Sequence, residues 1–75
     1  MTKEEVLKKF EDLGYKHKYT NYTGEQLIIY KPTKEYIYQI DIYLKERVYY
    51  FDFVLTSQEN QLLYELFKAS GWFDE

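Results

Sequence analysis

The spacing of apolar residues changes twice along this chain, and that change fixes the class of fold. Near the N-terminus Val6, Phe10 and Leu13 recur at i, i+4 and i+7, with Leu7 widening the stripe, which is the apolar face of an amphipathic helix. Near the C-terminus Leu62, Leu63, Leu66 and Phe67 repeat that pattern, with Ala69 and Tyr64 at its edge. Between them the period falls to two. Tyr36, Tyr38, Ile40, Ile42 and Leu44 alternate with Ile37, Gln39, Asp41 and Tyr43; Tyr49, Phe51, Phe53 and Leu55 alternate with Val48, Tyr50, Asp52 and Val54. Alternation in runs of Tyr, Ile, Val and Phe marks half-buried strands.

Both helical stretches carry the same punctuation. Thr2-Lys3-Glu4-Glu5 and Thr56-Ser57-Gln58-Glu59 each fit a capping box. In that motif the threonine hydroxyl accepts from the backbone N–H three residues on, and the glutamate reaches back. Gly14 and Gly71 stand where each helix must end, in the left-handed conformation that glycine adopts freely. A phenylalanine lies four residues before each glycine and an aromatic directly after it (Phe10, Tyr15; Phe67, Trp72). This is the apolar contact expected across a Schellman-type end.

The two alternating runs read as a hairpin about Lys45-Glu46. That register sets Ile42 opposite Tyr49, Ile40 opposite Phe51 and Tyr38 opposite Phe53, and makes one face continuously apolar. Lys-Glu is a poor pair for a tight type I′ turn, so a four-residue loop in the same register is expected. Upstream, residues 26–31 form a short apolar strand, ended by Lys31-Pro32-Thr33-Lys34, where proline presets a turn. Residues 15–22, rich in lysine, suit an edge strand, separated from the next by Thr23-Gly24-Glu25. The expectation for residues 1–75 is therefore one α+β domain, α-β-β-β-β-α, with a four-stranded antiparallel meander and both helices packed on one face. Its core should hold Val6, Phe10, Leu13, Tyr38, Ile40, Ile42, Phe51, Phe53, Leu62, Leu66 and Phe67. Truncating a ring as central as Phe51 should cost about 3–5 kcal/mol.

So short a chain buries little surface, and the usual staples are missing. There is no cysteine, hence no disulfide and no thiolate metal site; ten Tyr, five Phe and one Trp must supply the core instead. No stretch is long and apolar enough for a membrane span, and the N-terminal run reads as a helix rather than a signal peptide, so a cytoplasmic location is expected. The formal net charge is −3. Residues 1–34 carry seven lysines against five acids, whereas residues 35–75 carry three bases against eight acids. That balance argues against nucleic acid, whose phosphates call for lysine and arginine.

Signals for catalysis are absent. His17, the single histidine, lacks a carboxylate or ligand set at useful spacing and reads as a strand histidine. Ser57 and Ser70 lie at helix ends, where capping accounts for them, and three isolated glycines make no phosphate loop. Asn21-Tyr22-Thr23 matches a glycosylation sequon, which has no use in cytosol. Asp41 and Asp52 would be diagonal neighbours on adjacent strands, away from the core. Paired carboxylates can divide acid and base roles, so a small carboxylate-dependent hydrolase is one alternative; the plainer reading is the solvated face of a sheet.

One feature exceeds what a core needs. Two helices can cover one face of the sheet, and the other would still show Ile37, Tyr43, Val48, Tyr50 and Val54, with Tyr19, Ile28 and Tyr30 if the first strands align. Contiguous exposed apolar surface marks binding sites, and tyrosine, with a large ring and a polar tip, suits them. Ile37, Tyr43, Val48 and Tyr50, with Asp41 and Asp52 beside them, form the candidate partner-binding set. The expected partner is a protein or a second copy of the chain, with no cofactor, metal or small-molecule substrate. A single-stranded nucleic-acid reader is a further alternative, since such proteins stack bases on aromatic sheet faces, but the aspartates oppose it.

The closing run LTSQENQLLYELFKASGWFDE, a capped helix ending in Gly-Trp-Phe-Asp-Glu, resembles the ends of small phage and prophage proteins of Gram-positive bacteria, as does the Lys-, Glu-, Ile- and Tyr-rich composition. The resemblance covers residues 55–75 and implies a cytosolic accessory protein that acts by binding, with a host protein as one target. It brings no catalytic residues with it.

Overall fold

The computed structural model describes residues 1–20 and 25–74. The sequon Asn21-Tyr22-Thr23, the turn residue Gly24 and the outer end of the first expected strand, Tyr22, lie outside those residues. Within them the order is α1 (Lys3–Asp12), β1 (Lys16–Tyr19), β2 (Gln26–Pro32), β3 (Ile37–Tyr43), β4 (Val48–Tyr50) and α2 (Ser57–Ala69). The chain forms two compact units, one helical (Met1–Gly14 with Val54–Glu75) and one made of the sheet (Tyr15–Phe53).

Both capping boxes close as the sequence demands. Thr2 Oγ1 accepts from Glu5 N at 3.2 Å while Thr2 N donates to Glu5 Oε1 at 3.1 Å. At α2, Thr56 Oγ1 accepts from Glu59 N at 3.1 Å, and Thr56 N donates to Glu59 Oε1 at 2.8 Å. Gly14 and Gly71 take φ of 95° and 78°. At α2 the Trp72 N–H reaches the Phe67 carbonyl at 3.0 Å and the Gly71 N–H reaches Lys68 at 3.1 Å, the paired bonds of a Schellman end. α1 buries Val6, Leu7 and Phe10, and α2 buries Leu62, Leu63, Leu66 and Phe67. Leu13, expected in the core, is half-buried because it is the C-cap, where the helical stripe ends.

The sheet is an antiparallel meander in the order β1-β2-β3-β4. Ile42 faces Tyr49, Asp41 faces Tyr50 and Tyr43 faces Val48, the register expected of the hairpin. Its loop has the four residues Leu44–Arg47, closed by Arg47 N donating to Tyr43 O at 2.9 Å. Arg47 itself sits at φ 59°, a conformation its sequence identity does not announce. At the other turn Thr33 ties the corner: its hydroxyl donates to Tyr36 O at 2.7 Å and accepts from Tyr36 N at 3.0 Å. Leu27, Ile29, Ile40 and Ile42 share one face and are fully buried.

Three expectations need correction. First, β4 ends at Tyr50 rather than running on to Leu55. Alternation reports on which side a side chain stands, not whether its backbone is paired, and an edge strand has a ladder on one side only. Past Tyr50, ring contacts take over: Tyr49 stacks on Phe51 at 6.0 Å, Phe51 meets Phe53 at 6.1 Å, and Phe53 meets Tyr38 edge-on at 5.2 Å. Second, for the same reason Phe51 is not core; it is 41% exposed, and Tyr38 and Phe53 are half-buried. Third, Tyr19 pairs with Leu27 and so stands on the buried face, not the open one. The residues that β1 contributes to the open face are Lys16, opposite Tyr30, and Lys18, opposite Ile28.

Candidate functional site

Residues directly opposite each other in antiparallel strands point to the same side, so the register lays out the open face in rows. Lys18, Ile28, Asp41 and Tyr50 form one row across the four strands. Lys16, Tyr30 and Gln39 form the next, and Gln26, Tyr43 and Val48 lie on the other side of the first. The register brings Asp41, Tyr43, Val48 and Tyr50 together, while Ile37, opposite Pro32, stands at the far end of β3 and shares a hollow with Asp41, Tyr50 and Asp52. Tyr50 (62% exposed), Ile37 (55%) and Val48 (42%) are open, and Tyr43 and Asp41 are half-buried. Tyr43 and Tyr50 meet edge-on with ring centres 5.9 Å apart. Val54, expected on the same face, lies past the end of β4 and is 92% exposed. His17 is half-buried on β1 opposite Ile29, on the buried side.

The face is concave at one corner. Tyr36, Ile37, Gln39, Asp41, Tyr50, Phe51 and Asp52 line an open hollow of about 510 Å³. Its two carboxylates each take their own neutral donor: Gln39 Nε2 donates to Asp41 Oδ1 at 2.8 Å, and the Tyr36 hydroxyl donates to Asp52 Oδ1 at 2.7 Å. The bond to Asp52, with some loss of solvent and the nearby carboxylate charge, raises the Tyr36 hydroxyl above the ordinary tyrosine pKa. Donors of this kind orient carboxylates as fixed acceptors, suited to holding a cation or an amide. Among the described residues there is no group of three or more His, Cys, Asp or Glu placed to hold a metal ion.

Charge is segregated across the sheet. Lys16 and Lys18 stand on the β1 side, where the Lys18 ammonium lies 5.4 Å from the centre of the Tyr30 ring. Asp41 and Asp52 stand on the β3 and β4 side, about 10–14 Å away at the usual strand spacing. Sequence reasoning missed both lysines and Tyr36. The lysines carry no period from which to assign a face, and the partner of Tyr36 is sixteen residues away. Among the described residues no helix is long and apolar enough to cross a membrane. Comparison with protein-family models, with curated proteins and with solved structures found no match.

Proposed function

We propose that this chain is a small, non-enzymatic protein-interaction domain that binds through the open face of its sheet. The observation that carries the reading is the grouping of Tyr43, Val48 and Tyr50 beside Asp41 on the open face, with the exposed Ile37 and Asp52 joining Asp41 and Tyr50 around the hollow. Rings with polar tips bury large area at low entropic cost, and flanking charges select the partner by sign. The aspartates beside the aromatic patch would repel a phosphate backbone, so a protein fits better than a nucleic acid. The resemblance of residues 55–75 to phage and prophage proteins fits a cytosolic accessory role.

Amide resonances mapped during binding test this reading. Association, with itself or with a partner, is expected to shift Ile37, Asp41, Tyr43, Val48 and Tyr50, and Tyr50→Lys is expected to abolish it while circular dichroism stays unchanged. Shifts confined to α1 and α2, or binding indifferent to Tyr50→Lys, would overturn it.

A further inference from the structure

The rows of the open face have a symmetry that its composition does not reveal. Lysines occupy one edge strand and carboxylates the opposite side, at matching heights along the strands. Lys18 shares a row with Asp41 and Tyr50, and Lys16 shares a row with Gln39. Asp52, two residues past the end of β4, lines the hollow with Gln39, Tyr36 and Phe51.

We propose that the occupant of this face is a second copy of the chain, related by a two-fold axis parallel to the strands. The proposal rests on the reading of the open face as an interaction surface and adds the partner and the operator. Such an axis keeps each row at its height and exchanges its ends. It lays β1 of one copy over β4 of the other, and β2 over β3. Lys16 then stands over the Asp52 corner of its mate, Lys18 over Tyr50 beside Asp41, and Tyr30 over Gln39. An isologous interface repeats each contact, so both lysine edges meet both acidic edges. A two-fold axis lying across the strands would instead set β3 on β3 and bring aspartates together, which like-charge repulsion disfavours.

Packed sheets keep their strands nearly aligned and lie about 10 Å apart. A lysine side chain from one layer can reach a carboxylate of the other across that gap. At the usual strand spacing the four strands span about 19 Å, so the flat footprint is on the order of 400 Å² per copy. The total of about 800 Å² lies below the range of stable specific interfaces, so the dimer is weak and concentration-dependent.

Sedimentation equilibrium on the full chain, from about 10 µM to about 1 mM, tests the proposal. The wild type is expected to pass from monomer to dimer in that range. Lys16→Glu, which leaves the Tyr36–Asp52 bond in place, should weaken dimerisation at least ~10-fold, as should Asp52→Lys. The double variant, with the charges exchanged, should recover most of the loss. A wild type that stays monomeric overturns self-pairing but leaves the interaction face to the resonance mapping. A dimer lost on Tyr50→Lys, which would face the Lys18 of its mate, yet indifferent to the charge exchange overturns the two-fold arrangement alone. A dimer that survives Tyr50→Lys takes both readings down.

Discussion

Phe67 and Trp72 lie ring on ring, their centres 4.1 Å apart and their planes 3° from parallel. The pair closes the end of α2: between them the chain reverses through Gly71 at φ 78°, and the backbone bond from Trp72 N to Phe67 O fixes the reversal. The stack can form only if the residue between helix and tryptophan enters the left-handed region, so backbone and side chains depend on each other.

Gly71→Ala should therefore destabilise the chain by about 1–2 kcal/mol, the usual penalty for an L-residue in that region. Contact is not the cause, because an added Cβ would meet only the flexible Asp74 side chain, at 3.4 Å. Gly71→Asn should cost less than Gly71→Ala, since asparagine tolerates this backbone better. Thermal unfolding of the three proteins checks the order, and equal losses for Ala and Asn would show that the backbone conformation is not what matters.

The exposure of Phe51 reverses an expectation about the core. Ile40 is fully buried between Ile29 and the rest of its face, while Phe51 keeps 41% of its surface in water. Ile40→Ala should cost about 2–5 kcal/mol through lost transfer energy and an unfilled cavity, and Phe51→Ala clearly less. Denaturant midpoints for the two variants, with unchanged slopes, are the measurement. A larger loss for Phe51→Ala would mean that the ring contacts from Tyr49 through Phe53 hold the edge together more tightly than burial indicates.

The Tyr36–Asp52 bond makes an alkaline prediction. The hydrogen bond holds the neutral phenol in the folded protein and raises its pKa. A raised folded value means stabilisation that is present below the unfolded tyrosine pKa, about 10, and disappears as pH climbs through the folded value. Ultraviolet difference titration of the wild type against Tyr36→Phe isolates this one phenol. Its ionisation is expected above the ordinary range, and Asp52→Asn should bring it back down. No movement on Asp52→Asn would remove the carboxylate as the cause.

Where the sequence carried local chemistry, it predicted well. Caps, terminal glycines and the stripe of each helix all depend on residues within one or two turns, and the hairpin register depends on an alternation that only one pairing satisfies. The misses share a physical origin in the edges of the sheet. Lys16-His17-Lys18-Tyr19 has no apolar period, so nothing in β1 tells which residues face which side until its partners on β2 are known. Phe51 and Asp52 continue the apolar–polar alternation of the sequence, yet ladder pairing ends at Tyr50 and both residues line the same hollow as Tyr50, because a pattern in sequence persists without a partner strand to hold it. The bond from Tyr36 to Asp52 spans a separation of sixteen residues and leaves no pattern at either end.

The two capping boxes give a last comparison, because they share chemistry but differ in surroundings. Around Thr2 and Glu5 the bonds are exposed; around Thr56 they are partly buried, and Glu59 is itself buried. Water can replace a lost cap at the first site more readily than at the second. Thr56→Ala should thus cost about 1 kcal/mol or somewhat more, and Thr2→Ala distinctly less. The first box also carries a pH signature. The Thr2 backbone N–H, and then its hydroxyl, hold Glu5 in its charged form and keep its pKa below the ordinary glutamate value. A lowered folded value means that the contribution is present above the unfolded pKa and is lost as pH falls through the folded one. Carboxyl resonances followed during acid titration should show Glu5 protonating below the ordinary glutamate range. Because the backbone bond is the larger cause, Thr2→Ala should restore Glu5 only partway, whereas Thr2→Pro, which removes the N–H as well, should carry it further up, short of the ordinary value because the N-terminal charge and Lys9 still hold it down. Full restoration by Thr2→Ala would mean that the hydroxyl, not the backbone, sets the shift.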